Sequence, residues 1–169
     1  MRTREESRLY KRTVAAQKIF KEVPEYLEST KYAHTREING KNYQMFTNGY
    51  IGFMLNEPLP ELQQSKQNNG LNMYEFIKDF GNRTLTDIDL SAVKEVITEN
   101  KKIPLADRNK YPFVDIGNSR YNAKYLLQCY EILGGDIKFY QDEEKPLQGA
   151  ILESENGKAM LMPIRKDVN

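Results

Sequence analysis

The sequence has very few of the residues on which nucleophilic and covalent chemistry depends. It contains one cysteine, Cys129, so an internal disulfide is impossible and a reducing compartment such as the cytoplasm is expected. It contains one histidine, His34, so a Ser/His/Asp or Cys/His arrangement would need distant partners for this single residue. We therefore predict that the protein is not an enzyme and that His34 has a surface or cross-strand role.

Long apolar runs and an excess of charge are also missing. No apolar run approaches the roughly 20 residues that a membrane helix requires, and the charged N-terminus lacks the apolar stretch of a secretory signal. The net charge is only +1, so bulk charge does not indicate a nucleic-acid partner. With 169 residues, 39% of them hydrophobic and 29% charged, the sequence is typical of a soluble globular chain with one domain.

Three smaller features, two acidic pairs and the single cysteine, have ordinary structural explanations. Asp87 and Asp89 could bind a divalent cation, but the same spacing is typical of a helix start. Cys129 falls on the apolar stripe of a predicted helix, where an inert buried thiol is usual. Glu143 and Glu144 lie in a predicted turn, where they are more simply solvated than paired as acid and base. We expect no catalytic residue, no metal and no cofactor.

The first third of the chain is predicted to form a helix followed by a hairpin. Residues 4–22 carry an apolar stripe at helical spacing, and Pro24 ends the helix. Asn39-Gly40 is a strong turn signal between predicted strands at 31–37 and 42–55. The second of these strands contains Gly49 and Gly52, which predict a bend or a bulge.

The middle of the chain has weaker patterns. Residues 56–72, which include Gln67, Asn68 and Asn69, are predicted to be a loop. Residues 73–80 fit either a short helix or a strand. Residues 87–100 fit a helix with Asp89 as its N-cap.

The last third has the clearest pattern. Residues 113–116 are predicted to form a strand, and residues 118–122 lead into a helix at 122–133 that Gly134-Gly135 ends. Three further strands are predicted at 136–141, 147–153 and 158–165. The turn between the last two contains Asn156-Gly157.

The order of these last elements carries a resemblance. A strand ends in Ile116-Gly117, a helix opens with Tyr121-Asn122, a glycine pair and strands follow, and the series closes on Met160-Leu161-Met162-Pro163-Ile164-Arg165. This series resembles the second half of a domain of the bacterial sliding clamp, the polymerase III beta subunit. The similarity is greatest to the C-terminal domain, which has an ending of the type Met-Pro-Met-Arg.

The resemblance implies an α+β fold of the DNA-clamp type, with helices packed on one face of antiparallel strands. Residues 1–169 would form a single clamp-like domain, with a partly helical insertion at about 57–110. Family members carry three such domains in each chain. A ring built from this chain would therefore need a homo-oligomer of about six copies, or an assembly of lower order.

Basic residues on the predicted first helix are the candidate DNA-binding residues. Arg4, Arg8, Lys11 and Lys18 lie away from the apolar stripe, and residues 1–21 hold seven basic and two acidic residues. The resemblance implies that these residues, with Lys124 of the second helix, face duplex DNA. Attraction to phosphate is independent of sequence and permits sliding. The alternative is an ordinary solvated helix face.

The C-terminal residues are the candidate peptide-binding residues. The resemblance implies a hydrophobic pocket for short motifs of polymerases or other clamp-binding proteins, and methionine suits a surface that accepts several ligands. The residues concerned are Met160, Met162, Pro163, Ile164 and Arg165. The alternative is an edge strand whose apolar residues pack inward.

Together these patterns predict a non-catalytic, sliding-clamp-like processivity or tethering factor. Its partners would be double-stranded DNA, bound weakly and without sequence preference, the peptide motifs of polymerases or other proteins, and further copies of the chain. No membrane partner is expected, and the location would be cytoplasmic. The alternative is a clamp-fold interaction protein that does not encircle DNA, such as an adaptor, an inhibitor or a decoy of a mobile element.

Overall fold

The computed structural model describes residues 1–66 and 70–166. The predicted loop residues Gln67, Asn68 and Asn69 lie outside the described residues, as do positions 167–169 of the predicted domain. The helices of the described part are α1 (Arg4–Lys21), α2 (Tyr74–Ile77), α3 (Leu90–Lys102) and α4 (Ala123–Leu133), with 3-10 turns at Glu25–Thr30 and Leu105–Asp107. The strands are β1 (His34–Ile38), β2 (Lys41–Thr47), β3 (Ile51–Leu55), β4 (Thr84–Thr86), β5 (Phe113–Ile116), β6 (Ser119–Asn122), β7 (Lys138–Gln141), β8 (Ala150–Ser154) and β9 (Gly157–Leu161).

Seven of these strands form one antiparallel sheet, which we call the main sheet. Its strand order is β1-β2-β3-β9-β8-β7-β4, and β5 and β6 form a separate two-stranded hairpin. The first part of the chain thus pairs with the last part through β3 and β9. The coarse prediction of an α+β fold with antiparallel strands is confirmed.

Helix α4 lies on one side of the main sheet, which we call the first face. It contacts β3, β8 and β9, and α1 and α3 each pack against it. Side chains that alternate along the strands supply the floor of this core, because successive residues of a strand point to opposite faces. The buried floor includes Phe46, Phe53, Leu55, Leu152 and Leu161.

The opposite side of the sheet, the second face, carries a smaller apolar cluster. Met45, Met54 and Ile151 are buried there beneath Met73 and Ile77, which belong to α2 and the residue before it. Met160, Leu71, Tyr74 and Phe80 pack around this group. The segment 70–80 therefore covers the second face, and the undecided pattern at 73–80 resolves as a short helix.

Several predicted boundaries are wrong for local reasons. The strand predicted at 42–55 is two strands, because the chain reverses at Gly49, which has a φ of +91°. The Asn48 side-chain oxygen stabilises this turn by accepting from the backbone N–H groups of Tyr50 and Ile51, both at 2.9 Å. The residues predicted to lead into the second helix form β6, which pairs with β5.

The predicted strand at 158–165 is also too long, since β9 ends at Leu161. By contrast, the turn at Asn39-Gly40 is confirmed, with φ values of +51° and +80° that join β1 to β2. The N-cap prediction is confirmed as well. Asp89 accepts from the backbone N–H groups of Ser91 and Ala92 at the start of α3.

The middle segment, 57–110, packs against the rest of the fold through residues 70–80 on the second face, as described above, and also through a strand and a helix. Strand β4 pairs with β7 and forms one edge of the main sheet. Helix α3 packs on α4, and its Val93 and Ile97 belong to the core of the first face. The role of this segment as an insertion into a clamp domain stays a prediction. None of the helices in the described ranges is long and apolar enough to cross a membrane.

Candidate nucleic-acid interface

Helix α1 carries most of the predicted DNA-binding residues, and its ends are well defined. Thr3 and Glu6 form a capping box: the Glu6 backbone N–H donates to the Thr3 hydroxyl at 3.1 Å, and the Thr3 backbone N–H donates to the Glu6 carboxylate at 2.7 Å. Lys18 and Lys21 occupy the last turn, where cations favour the helix dipole. Ala16 and Ile19 are buried in the core and fix which side of the helix faces solvent.

A half-buried arginine joins α1 to α4. The Arg12 Nε–H donates to the Ile132 carbonyl oxygen at 2.7 Å, near the C-terminus of α4, where carbonyl groups have no partner within the helix. Burial lowers the pKa of Arg12, with Glu57 opposing that shift. Arg12 therefore has a structural role, whereas the other six basic residues at positions 1–21 are exposed.

The four predicted cations of α1 are all exposed, and so is Lys124 of α4. Arg4, Arg8 and Lys11 lie toward the N-terminal end of a helix of 18 residues, about 27 Å long. The C-terminal end of α1 lies near the N-terminal end of α4, because Glu22, which follows α1, interacts electrostatically with Lys124. The structure thus distributes the predicted cations along the helix pair rather than in one cluster.

A carboxylate interrupts this basic surface. Burial raises the pKa of Glu22, while the positive charge of Lys124 and a hydrogen bond with the Tyr125 hydroxyl act to lower it. Burial and the neighbouring Glu22 raise the pKa of Tyr125 to about 12, so this phenol stays neutral and donates to the carboxylate. Glu22 therefore places a negative charge at the same end of the helix pair as the positive charge of Lys124.

Sequence patterns gave no indication of an aromatic group beside this carboxylate. The Tyr50 ring stacks on the Tyr125 ring, with centroids 5.8 Å apart and an interplanar angle of 18°. Tyr111 also interacts electrostatically with Tyr125. The sequence signal that could have found these rings is their position in loops, since Tyr50 follows Gly49 and Tyr111 precedes Pro112.

The β5–β6 hairpin and the residues just before it add further rings and cations. The Arg120 guanidinium lies over the Phe113 ring, 3.7 Å from its centroid, and binds both carboxylate oxygens of Asp115 at 2.8 and 3.1 Å. This hydrogen bonding lowers the pKa of Asp115. One residue before Tyr111, Lys110 places its Nζ 5.3 Å from the Tyr111 centroid. We call Lys110, Tyr111, Phe113 and Arg120 the hairpin strip.

The predicted peptide-binding residues lie in two places. Met160 packs with the methionines of the second face, and Met162 is 42% exposed beside it. A Cβ built on Gly149 would lie 3.1 Å from the sulfur atoms of both, so these two side chains converge above that glycine. The Ile164 backbone N–H instead donates to the Arg120 carbonyl oxygen at 2.7 Å, beside the hairpin strip.

Pro163, between these two positions, is half-buried, and Arg165 is exposed. The five residues therefore divide between the second face and the hairpin. A pocket that uses all of them stays a prediction.

A cleft of about 380 Å³ borders the N-terminal part of α1. The Arg2 guanidinium lies over the Tyr10 ring within it, 3.9 Å from the centroid. Glu6 and Glu61 also line the cleft, so its charge does not favour an anion. The remaining lining residues are Met1, Leu9, Thr13 and Pro60.

The residues that were considered for catalysis or metal binding occupy positions in the core, in a strand or in a turn. Cys129 is buried, and burial raises the pKa of its thiol. His34 is buried at the start of β1, across from Met45. Glu143 and Glu144 are exposed in the turn after β7. Within residues 1–66 and 70–166, no three His, Cys, Asp or Glu side chains form a group that could hold a metal ion.

The fold and the surface define an α+β protein with one large antiparallel sheet, three helices on its first face and exposed cations along α1. Comparison of the chain with known protein families, with curated proteins and with solved structures finds no match.

Proposed function

We propose that the protein is a non-catalytic, clamp-like factor that holds duplex DNA without reading its sequence. The observation that carries this proposal is that the basic residues of α1 have two different roles. Arg12 is committed to α4, whereas Arg4, Arg8, Lys11 and Lys18 are exposed. A paired-helix surface on an antiparallel sheet is also what a clamp-type domain would present.

Four exposed cations favour weak, mobile binding to DNA. Contacts with phosphate fix position but carry no sequence information. Four such contacts would give a slope of about −3.6 in a plot of log affinity against log salt concentration. Glu5 and Glu6 in the first turn and Glu22 after the last turn reduce the attraction. The proposal therefore requires affinity that is modest and steeply dependent on salt.

Encirclement of DNA would require several copies of the chain. The two edges of the main sheet, β1 and β4, lie at opposite ends of the strand order, and an open edge can pair with another chain. Pairing of unlike edges is a heterologous contact, which forms a ring only when the rotation closes. A ring of about six copies, or a smaller assembly of different curvature, is the proposed form.

Charge reversal on α1 tests the DNA interface. Arg4→Glu, Arg8→Glu, Lys11→Glu and Lys18→Glu together should lower duplex affinity at least tenfold and flatten its dependence on salt. The matched control reverses four exposed lysines outside α1 and α4: Lys94, Lys101, Lys138 and Lys145. Both variants change the net charge equally, so an equal loss of binding in the two would contradict an interface on α1.

Sedimentation with and without duplex DNA tests the assembly. A ring-sized species that grows with concentration or with added DNA supports the clamp. A strict monomer at high concentration would instead favour the second candidate, a clamp-fold adaptor, inhibitor or decoy.

One observation favours this second candidate: the convergence of Met160 and Met162 above Gly149, at the edge of the methionine cluster. A deformable surface of this kind suits more than one peptide ligand. Met162→Ala combined with Ile164→Ala should lower the affinity for a clamp-binding peptide without changing the circular dichroism spectrum. Unchanged affinity would remove the peptide pocket.

A further inference from the structure

We infer that the hairpin strip binds single-stranded nucleic acid, with unpaired bases stacked on Tyr111 and Phe113. This inference does not depend on the proposed clamp function, because the strip lies on the β5–β6 hairpin and the residues just before it, and not on α1. Four observations carry it: the exposure of the two rings, their rigid support, the cations beside them and the balance of nearby charge.

The two rings are open to solvent, although they belong to a well-packed part of the fold. Burial alternates along the chain here, with Pro112, Val114 and Ile116 turned inward and packed against the protein. Tyr111 and Phe113 point the other way and are 51% and 39% exposed. Large aromatic side chains contribute most to stability when buried, so two exposed rings in one alternating series suggest a binding role.

The support beneath the rings is rigid. The Ala123 backbone N–H donates to the Pro112 carbonyl oxygen at 2.8 Å, which joins the residue between the two rings to the start of α4. On β6, the fully buried Tyr121 donates its hydroxyl proton to the Gln141 side chain at 3.1 Å, which joins the hairpin to β7. A ligand that stacks on these rings would therefore lose little free energy to ordering of the protein.

Each ring has a cation beside it. Lys110 accompanies Tyr111, and the Arg120 guanidinium lies over Phe113, as described above. Rings that accept base faces, interleaved with cations that attract phosphates, are what proteins use to bind single strands without sequence preference.

The charge of the surroundings favours a nucleic acid over an acidic or neutral peptide. Arg165 and Lys166 follow Ile164, which bridges to Arg120, and Lys166 lies 3.9 Å from Asp115. Asp115 contacts the strip, and it is ion-paired with both Arg120 and Lys166. Among the described residues named here, four cations, Lys110, Arg120, Arg165 and Lys166, accompany the one anion Asp115, so the binding should weaken with salt.

Oligothymidylate of about 16 nucleotides, the upper end of typical site sizes for stacking domains, is a suitable fluorescent probe. Tyr111→Ala with Phe113→Ala should weaken its binding at least about tenfold, because each lost base stack is costly. The matched control removes one tyrosine and one phenylalanine that are exposed elsewhere, Tyr26 and Phe76, at 81% and 61% exposure. Equal loss in the control, or no measurable binding by the wild-type chain, would overturn the inference.

Conservative variants separate the loss of rings from damage to the fold. Tyr111→Leu with Phe113→Leu keeps apolar bulk without a ring and should bind as weakly as the alanine variant. Tyr111→Phe keeps the ring and should bind like the wild type, so a tenfold loss there would refute stacking as the mechanism. In the α1 charge-reversal variant, removal of the two rings should still weaken oligothymidylate binding, even if duplex binding is already absent.

Discussion

The first face of the main sheet is covered by three helices, whereas the second face is covered by the single segment 70–80. The first core is built from phenylalanine, leucine, isoleucine and alanine side chains that interlock with α4. The second cluster contains four of the six methionines in the chain: Met45, Met54, Met73 and Met160. The first face of the main sheet is therefore packed with rigid apolar side chains, whereas the second face is made largely of methionine, the most flexible apolar side chain.

This difference indicates where the molecule can adapt. Branched and aromatic side chains pack in few arrangements, so the first core fixes α1 and α4 and the cations that they carry. Methionine is flexible and fills irregular spaces, and a short covering segment makes few contacts that would hold it closed. We expect the second face to open locally while the first face stays intact.

Matched isoleucine variants should reveal the largest effect. Ile132 of α4 and Ile77 of α2 are both fully buried, on the first and second faces respectively. Ile132→Ala should cost about 4 kcal/mol and Ile77→Ala about 2 kcal/mol, within the usual range for such truncations, because the short segment can settle into the space that is left. Urea unfolding monitored by circular dichroism measures both values.

Hydrogen exchange gives an independent check on the same comparison. The amides of 70–80 should exchange at a lower opening free energy than those of α4, and Ile77→Ala should lower it further without affecting α4. Equal costs for the two variants, together with equal protection of the two regions, would show that both faces are parts of one rigid core.

The second prediction concerns the close approach of Met73 to the sheet. Gly52 has no side chain, and a Cβ at that position would overlap the Met73 Cε and lie 2.8 Å from its sulfur. Gly52→Ala should therefore destabilise the protein by about 1–2 kcal/mol through overpacking. Because the obstacle is the end of a flexible side chain, adding Met73→Ala should recover part of this loss. Strictly additive effects in the double-mutant cycle would mean that Met73 does not occupy the space above Gly52.

Local signals were sufficient to predict much of the fold. The apolar stripe with Pro24 placed α1, the turn at Asn39-Gly40 placed the first hairpin, and Asp89 marked the start of α3. The exposure of Arg4, Arg8, Lys11 and Lys18 also followed from helical spacing alone. These features depend on residues that are close in the sequence, so no tertiary knowledge was needed.

Features that depend on distant contacts were not predicted. The main sheet joins β3 to β9, more than 100 residues away, and no local pattern reports that pairing. Arg12 entered the sequence analysis only in the count of basic residues at positions 1–21, because its hydrogen bond to Ile132 forms only when α1 meets α4. The hairpin strip was missed for a similar reason, since Arg120 reaches Phe113 only after β6 pairs with β5.

The smallest predicted effect is at the end of the helix pair, where Glu22 meets Lys124 and Tyr125. Burial raises the pKa of Glu22 above its ordinary value of 4.5, so its folded form favours the proton. The stability that this group contributes is therefore complete below pH 4.5 and is lost as the pH rises through the folded pKa. Wild type should lose stability relative to Glu22→Gln between pH 4 and pH 7, by an amount well below that of either isoleucine variant.

Glu131→Gln is a suitable control for that measurement, because Glu131 is an exposed carboxylate on α4. Urea unfolding of the three proteins at both pH values gives the comparison, and a difference that grows in favour of the wild type toward pH 7 would contradict partial desolvation of the Glu22 carboxylate as the cause. The same substitution removes a negative charge beside Lys124, so Glu22→Gln should also strengthen duplex binding slightly at low salt. A carboxylate that costs stability at neutral pH and also repels phosphate would then be a local limit on how tightly the helix pair holds DNA.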